Sequence, residues 1–244
     1  MSHVVLVLGM HRSGTSVITK STECFGVSLG DRAEWYGPDN VFGFWEDLDI
    51  LGLDDMLLKA TFSDWDKPLT DEAWDFMPSA RANAVGMLGA KLHRWPLFGL
   101  KEPRMCRLLP FWRPVFDVLG CEVSVVHVIR HPTAVAKSLA KRNGMSMERA
   151  YALWLDHVTR QYADCDPAWK QVTVDYQDFM LFPKTLLYAM TLHLGLTVLN
   201  GDIRAVEEFC RRSVKPELRH HEPDDSKLPL EVNVAWKMAR ERVI

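Results

Sequence analysis

Residues 4–16, VVLVLGMHRSGTS, decide the fold of this 244-residue chain. Five apolar residues in a row predict a buried strand, and the glycine-containing turn after them predicts a loop that leads into a helix. Gly9 and Gly14 stand at the Gly-x-x-x-x-Gly spacing of a phosphate-binding loop, a P-loop-like arrangement. Backbone N–H groups converge in such a loop, so the segment predicts an anion site.

This loop lacks the lysine of nucleotide hydrolases, because Thr15 stands where that lysine precedes Ser16. Its charged side chain is Arg12, and the hydroxyls of Ser13, Thr15 and Ser16 follow. The hydrolase lysine and the hydroxyl after it serve a γ-phosphate and a Mg²⁺ ion, whereas arginine offers a planar set of donors to any oxyanion. The loop therefore favours a phosphate or sulfate ligand over triphosphate chemistry. A turn that only joins strand to helix is the plain structural alternative.

Composition limits the function classes. A net charge of -3 argues against a general nucleic-acid binder, and 48% hydrophobic with 25% charged residues is typical of one globular domain, which we expect to span residues 1–244. The five cysteines are widely spaced without a C-x-x-C pair, so we expect reduced thiols, no disulfide framework and no zinc site. No long apolar run and no signal-peptide pattern occurs, which predicts a cytoplasmic protein without stable membrane insertion.

Short apolar runs alternate with helical periodicity along the chain. Strands are predicted at residues 4–8, 97–100, 123–129 and 172–174, with a weak fifth at 27–29. Helices are predicted at residues 15–25, 48–60, 71–93, 107–119, 133–141, 147–163, 179–194 and 203–211. This alternation predicts an α/β fold of three αβα layers around a central, mainly parallel sheet of four to five strands.

Charged residues follow the predicted strands. Arg12 comes after the first strand, Lys101 and Arg104 after the second, and Arg130 after the third. Charges often flank buried strands for structural reasons alone. Because parallel strands end at one edge of the sheet, however, three such ends predict one pocket for a ligand with several negative charges.

The third strand predicts a second anion site. Arg130 stands at the strand end, and Pro132 suits the first position of a helix. Ser138 follows about two turns along that helix, so the Arg130 guanidinium and the Ser138 hydroxyl can hold one phosphate together.

These residues resemble the sulfotransferases that use 3'-phosphoadenosine 5'-phosphosulfate (PAPS), particularly the bacterial type. Leu8 to Ser16 is similar to the motif that holds the 5'-phosphosulfate, and Arg130 with Ser138 matches the arginine–serine spacing that holds the 3'-phosphate. Four further segments resemble the family: GFWE at 43–46, GLKEPR at 99–104, LLPFW at 108–112 and VDYQDF at 174–179. The chain departs from the family pattern at Arg12, where many members carry lysine, and at Gln177, where an acidic residue often follows the tyrosine.

The resemblance implies transfer of a sulfuryl group from PAPS to a hydroxyl or amine acceptor, with adenosine 3',5'-bisphosphate as the product and no metal. By analogy with phosphoryl transfer, such a reaction needs cations at the leaving phosphate, for which Arg12 and Lys101 are the candidates, and a base for the acceptor proton, for which Glu46 and Glu102 are the candidate carboxylates. Arginine does not readily give up a proton, so Arg12 in place of lysine leaves protonation of the leaving group open. The implied cofactor-binding residues are His11, Arg12, Ser13, Gly14, Thr15, Ser16, Arg130 and Ser138.

Three residues are candidates for the base that accepts the acceptor's proton. Glu46 is the first choice, because it ends an aromatic segment that could shelter an acceptor; its alternative role is that of an acid in a helix first turn. Glu102 is second and could equally be the salt-bridge partner of Lys101 or Arg104. His11 is third, since a place inside the anion loop favours ligand contact. The aromatic segment comprises Trp35, Tyr36, Phe42, Phe44 and Trp45.

Several questions stay open at the level of sequence. A small molecule, a glycan or a lipid would each suit an aromatic acceptor cleft, and no feature indicates the oligomeric state. Arg219, before His220 and His221, could return to the 3'-phosphate as basic C-terminal segments of the family do. A P-loop kinase or NTPase would need Lys101 to replace the missing lysine. A non-catalytic nucleotide-binding relative is the other alternative.

Overall fold

The computed structural model describes residues 2–37, 40, 43–67, 69, 77–196, 203–215 and 223–244. Strands and helices alternate through most of the chain. In chain order the elements are β1 (His3–Leu8), α1 (Thr15–Ser21), α2 (Leu48–Ala60), α3 (Pro78–Arg94), β2 (Leu97–Lys101), α4 (Met105–Leu119), β3 (Glu122–Ile129), α5 (Pro132–Asn143), α6 (Met147–Ala163), β4 (Lys170–Asp175), α7 (Tyr176–Leu181), α8 (Pro183–Leu194), α9 (Ile203–Ser213) and α10 (Leu230–Arg240).

The four strands form one parallel sheet in the order β2-β1-β3-β4. β1 lies in the centre, with Val7 beside Lys101 of β2 and Leu8 beside His127 of β3. On the far side of β3, Ile129 lies beside Asp175 of β4. All four strands therefore end at the same edge, and the loops that follow them meet there, as predicted.

Helices cover both faces of this sheet. Alternate residues of β1 point to opposite sides: Val4, Leu6 and Leu8 pack against α2, α3 and α4, whereas Val5 and Val7 pack against α1 and α8. Burial on both faces explains why β1 is apolar from Val4 to Leu8. The predicted three-layer αβα fold with a parallel sheet is confirmed.

The weak fifth strand is reduced to a single parallel bridge between Ser28 and Phe98. The Ser28 N–H donates to the Leu97 carbonyl at 3.0 Å, and the Gly99 N–H donates to the Ser28 carbonyl at 2.8 Å. Residues 27–29 therefore cap the β2 edge of the sheet without forming a strand.

Several helix boundaries differ from the predictions. The helix predicted at 15–25 ends at Ser21 and continues as a 3-10 helix, and the one predicted at 107–119 begins earlier, at Met105. The helix predicted at 179–194 is two helices, because Pro183 cannot continue α7 and starts α8 instead. Of the helix predicted at 71–93, residues 71–76 lie outside the described residues, and α3 starts at Pro78.

Helix α10 escaped prediction. Its start reads Leu230-Glu-Val232-Asn-Val234, an alternation typical of a strand, although the helix buries only Val232 and Ala239 of its eleven residues. The search for membrane spans, restricted to the described residues, finds no helix with the length and apolarity needed to cross a bilayer.

Candidate functional site

The loop after β1 is a turn with left-handed backbone at two residues. Gly14, the residue before α1, has φ +86°, and Arg12 has φ +68°, which is uncommon for a residue with a side chain. A Cβ atom on Gly14 would lie 2.0 Å from the Tyr176 ring, so no other residue fits there. Ser13 closes the turn, because its N–H donates to the Met10 carbonyl at 3.1 Å.

The same loop packs closely on the sheet. A Cβ atom on Gly9 would lie 2.7 Å from the Val128 carbonyl oxygen, and the Gly9 N–H donates to the Sγ of Cys106 at 3.1 Å. Ser13 and Thr15 are buried, whereas Ser16 is half-buried. Packing against β3 and α4 therefore holds the backbone of the loop in one conformation.

The two predicted anion motifs meet in space. Arg12 Nε donates a hydrogen bond to Ser138 Oγ at 2.9 Å, and Arg130 donates through Nη1 to the Arg12 carbonyl at 3.0 Å. Strand order explains the meeting, because β3 lies directly beside β1. Two guanidinium groups and a hydroxyl thus converge at the edge of the sheet.

Arg130 is buried and fixed by aromatic residues. Its carbonyl accepts from Trp154 Nε1 at 3.1 Å, and its guanidinium lies over the Tyr176 ring at 4.6 Å from the centroid. Burial lowers the pKa of Arg130, and the Arg12 charge lowers it further, although the group stays protonated. Among the described residues its buried Nε has no hydrogen-bond partner. An anion at this point would offset both the burial and the repulsion.

Lys101 joins the loop to the segment before α2. Its Nζ lies 2.6 Å from Glu46 Oε1 and donates to the Phe44 carbonyl at 2.9 Å and to Ser16 Oγ at 3.3 Å. Both charged side chains are buried, with exposures of 2% for Lys101 and 7% for Glu46. The predicted second cation and the predicted base therefore form one buried ion pair beside the loop.

Glu46 is not the acid of a helix first turn. Asp47 is the residue that caps α2, accepting from the N–H groups of Asp49 and Ile50. Glu46 precedes this cap, and its carbonyl accepts from Trp35 Nε1 at 2.9 Å. Its side chain is therefore available to Lys101.

The aromatic segment lies against these residues. Trp35 stacks on Phe44 with ring centroids 4.1 Å apart, and the Lys20 ammonium lies 4.0 Å above the Trp45 ring. Tyr36 is exposed and meets Trp45 edge to face at 6.4 Å. Phe42 lies outside the described residues.

Glu102 has a different environment from Glu46. It is fully buried and pairs with Arg104 rather than with Lys101, which is one of the two salt bridges that the sequence allowed. Burial raises the pKa of the Glu102 carboxyl, and Asp54 of α2 contacts the same group. Asp54 lies behind the candidate site, and no pattern in the sequence indicates its contact with Glu102.

His11 lies under aromatic residues. Its ring meets Trp65 edge to face at 5.1 Å and His157 at 6.1 Å. Burial and the nearby Arg104 charge hold the pKa of His11 well below its usual value, so the ring is neutral. Its Nε2 is buried and accepts no hydrogen bond from the described residues.

Sequence reasoning missed three residues that support the site. Tyr176 packs on Gly14 and Arg130, Trp154 holds the Arg130 carbonyl, and His157 faces His11. Tyr176 carries a signal in the sequence, since it directly follows the polar end of a predicted strand. Trp154 and His157 carry none, because both read as ordinary positions of a helix.

Two further predictions concern metals and the C-terminal segment. The described part of the chain contains no group of three or more His, Cys, Asp or Glu side chains that could hold a metal ion. Arg219, His220 and His221 lie outside the described residues. The chain resumes at residue 223, where Asp224 and Asp225 bind Thr133 and His131 at the start of α5.

Two solved structures resemble this chain along almost its whole length. A sulfotransferase domain from the curacin biosynthetic pathway matches 100% of this chain and 99% of its own, with a TM-score of 0.57 and 13% identity. A sulfotransferase domain from the olefin synthase of Synechococcus PCC 7002 matches 97% of this chain and 94% of its own, with a TM-score of 0.52 and 17% identity. No protein-family model matches the sequence, and no curated protein matches it significantly. The chain thus has the fold of these sulfotransferase domains.

Proposed function

We propose that residues 1–244 form a single sulfotransferase-like domain that moves a sulfuryl group from PAPS to a hydroxyl or amine acceptor. The observation that carries the proposal is the convergence of Arg12, Arg130 and Ser138 beside the loop of Gly9 to Gly14. A ligand with two phosphate-type groups suits this convergence better than a single phosphate does, because two separate strand ends supply the donors.

The residues of the site fit PAPS as the sulfuryl donor. Arg130 is buried with an unpartnered Nε among the described residues, and Arg130 and Ser138 both contact Arg12, which suits a 3'-phosphate. The loop conformation at Arg12 and Gly14 suits the 5'-phosphosulfate, because successive N–H groups then point to one side. His11 and Ser13 belong to this loop, Thr15 and Ser16 begin α1, and together they would complete the 5' subsite.

When bound, PAPS supplies a sulfuryl group activated as a mixed anhydride of phosphate and sulfate. The chain must then stabilise the negative charge that builds up on the departing phosphate. In this proposal Arg12 and the loop N–H groups stabilise that charge, and Lys101 is the second cation, since its Nζ lies 3.3 Å from Ser16 Oγ at the start of α1. These fixed positive groups do the work that a metal ion does in phosphoryl transfer.

Glu46 is our choice for the base. Its carboxylate lies beside Lys101 and next to the aromatic segment, so one buried pair holds both a cation and a proton acceptor near the loop. Glu102 suits the role less, because Arg104 and Asp54 occupy its carboxyl group in full burial. His11 is neutral, as a base must be, but burial and the Arg104 charge weaken its proton affinity.

Aromatic residues beside Glu46 suit three classes of acceptor. The stacked, half-buried rings of Trp35 and Phe44 lie beside Glu46, which suits the apolar or sugar face of a small molecule, a glycan or a lipid. An acceptor screen against all three classes would separate them.

Calorimetry tests which nucleotide the site binds. Adenosine 3',5'-bisphosphate should bind in the presence of EDTA, and ATP with Mg²⁺ should bind more weakly, because the 3' subsite stays empty. Tighter binding of ATP with Mg²⁺ would instead favour a kinase or NTPase, with Lys101 in place of the missing lysine. Loss of bisphosphate binding on chelation would overturn the metal-free site. Transfer of labelled sulfate from PAPS to a screened acceptor then separates an enzyme from a nucleotide-binding relative without turnover.

A further inference from the structure

Two acidic side chains of the core face each other behind the Lys101–Glu46 pair. Asp54, in the second turn of α2, and Glu102, directly after β2, are both 0% exposed. Two ionised carboxylates in contact inside an apolar core would repel each other strongly, so the pair needs a neutralising group.

Each carboxyl group has one oxygen with a donor. Trp112 Nε1 of α4 donates to Asp54 Oδ1 at 2.8 Å, and Arg104 Nη1 donates to Glu102 Oε1. The other two oxygens, Asp54 Oδ2 and Glu102 Oε2, are buried and receive no N–H or O–H donor from the described residues. The two carboxyl groups are in hydrogen-bonding contact with each other.

We propose that Asp54 is a positioning residue that carries a proton and donates it to Glu102, thereby fixing the β2 end that presents Lys101 to the loop. The proton belongs on Asp54, because the Arg104 cation stabilises the charge on Glu102. Burial and the neighbouring Glu102 charge raise the pKa of Asp54 well above its usual value, which agrees with this placement.

This contact has a mechanical consequence at the site. Lys101 and Glu102 are consecutive, and each binds the α2 region at a different point: Lys101 binds Glu46 before the helix, and Glu102 binds Asp54 inside it. Two anchors one residue apart fix the rotation of the strand end. Lys101 is thereby held toward Ser16 and away from Arg104.

The charged groups around Asp54 come from three places. Glu102 and Arg104 face it from the β2 end, Asp55 of α2 pairs with Arg104 Nε at 3.0 Å, and Glu46 acts on Glu102 from the segment before α2. Loss of the Asp54 proton would add a second buried negative charge to this group with no cation to match it. We therefore expect the folded state to weaken as pH rises.

The direction in which stability changes with pH follows from which state of the chain binds the Asp54 proton. The unfolded chain releases the Asp54 proton above about pH 4, whereas the folded chain keeps it, so stability is lost as pH rises from there toward the raised pKa of the folded state. Asp54→Asn keeps an acceptor for Trp112 and a donor for Glu102 but has no proton to lose. Its unfolding free energy should fall less than that of the wild type between about pH 5 and about pH 9.

The test uses the full chain and two variants. Urea unfolding of the wild type and Asp54→Asn across this pH range should show a stability difference that moves in favour of Asp54→Asn as pH rises. Infrared difference spectra should lose a protonated-carboxyl band in Asp54→Asn. A constant stability difference together with no lost band would overturn the proposal.

The positioning role has its own readout, which rests on the proposed function. Asp54→Ala should weaken binding of adenosine 3',5'-bisphosphate about tenfold by releasing Lys101, and Asp54→Asn should bind as the wild type does. Equal weakening in both variants would contradict the role of the donated hydrogen bond. If the wild type binds no bisphosphate, the proposed function fails. The pH dependence of stability and the infrared spectra then still decide whether Asp54 carries a proton in the folded state. If Asp54→Ala does not fold, weaker bisphosphate binding by Asp54→Asn than by the wild type would contradict the positioning role.

Discussion

Arg12 Nε donates to Ser138 Oγ at 2.9 Å across 126 positions of sequence. One residue belongs to the loop after β1 and the other to the second turn of α5, so the contact joins the two anion motifs into one site. Because Arg130 also donates to the Arg12 carbonyl, a change at any of these three residues should affect the same ligand.

Arg130→Ala should discriminate between nucleotides. If Arg130 holds a 3'-phosphate, its removal deletes a charge-assisted contact worth about 1.5–3 kcal/mol, which is about a ten- to hundredfold loss in affinity for adenosine 3',5'-bisphosphate. AMP, which lacks the 3'-phosphate, should lose much less. Calorimetry with both ligands measures the difference. Equal weakening of both nucleotides would show that Arg130 acts through the Arg12 carbonyl or Tyr176. Lys184→Ala, on the exposed surface of α8, serves as the control.

Gly14→Ala should abolish ligand binding. The residue has φ +86°, and an added Cβ would lie 2.0 Å from the Tyr176 ring, so the loop must change shape. Gly86→Ala is the matched control, because that glycine lies inside α3 with no atom near an added Cβ, and alanine there should stabilise the fold by about 0.5–1 kcal/mol. Calorimetry and thermal unfolding distinguish the two. Normal nucleotide binding by Gly14→Ala would remove the loop from the proposed site.

Glu46→Gln should slow transfer without changing donor affinity. Glutamine keeps an oxygen for Lys101 but cannot take a proton, so the turnover number should fall by about 10² to 10⁴ if Glu46 is the base. Glu102→Gln should affect stability more than turnover, because Glu102 is bound to Arg104 and Asp54. Sulfate transfer at saturating acceptor, with the thermal midpoint of each variant, separates the effects. Near-normal turnover in Glu46→Gln would shift the role to Glu102 or His11.

Acid should destabilise the protein through buried histidines. Burial lowers the pKa of His157 to about 3 and that of His127 to about 4, so both stay neutral in the folded state while the unfolded chain takes up protons below about pH 6.5. Their contribution is complete above that pH and is lost as pH falls toward the folded values.

The loss should be measurable one histidine at a time. At about pH 5 each histidine should lower the free energy of unfolding by about 2 kcal/mol relative to its value at neutral pH. His157→Gln and His127→Gln should each remove that part of the pH dependence in urea unfolding. Variants with the same acid slope as the wild type would show that these rings are protonated in the folded state.

Local patterns were enough to predict the architecture. The run from Val4 to Leu8 is apolar at every position, which only a strand buried on both faces requires, and the glycines after it need no partner to indicate a turn. Alternation of such runs with helical periodicity then predicted the parallel sheet and the edge at which Arg12, Lys101 and Arg130 gather. Helix α10 was not predicted because the start of its sequence alternates like a strand. The break at Phe182 was not predicted because the apolar pattern continues across it.

Only the tertiary structure decided which charges pair. The sequence allowed Glu102 to bind either Lys101 or Arg104, and nothing local chooses between two cations at similar spacing. Strand order, which depends on the burial of distant apolar residues, puts β3 beside β1 and so brings Ser138 to Arg12. Packing of α2 on the same edge sends Lys101 to Glu46 and leaves Glu102 facing Asp54. Periodicity is a short-range property of the chain, whereas the partner of a buried charge depends on which elements exclude water together.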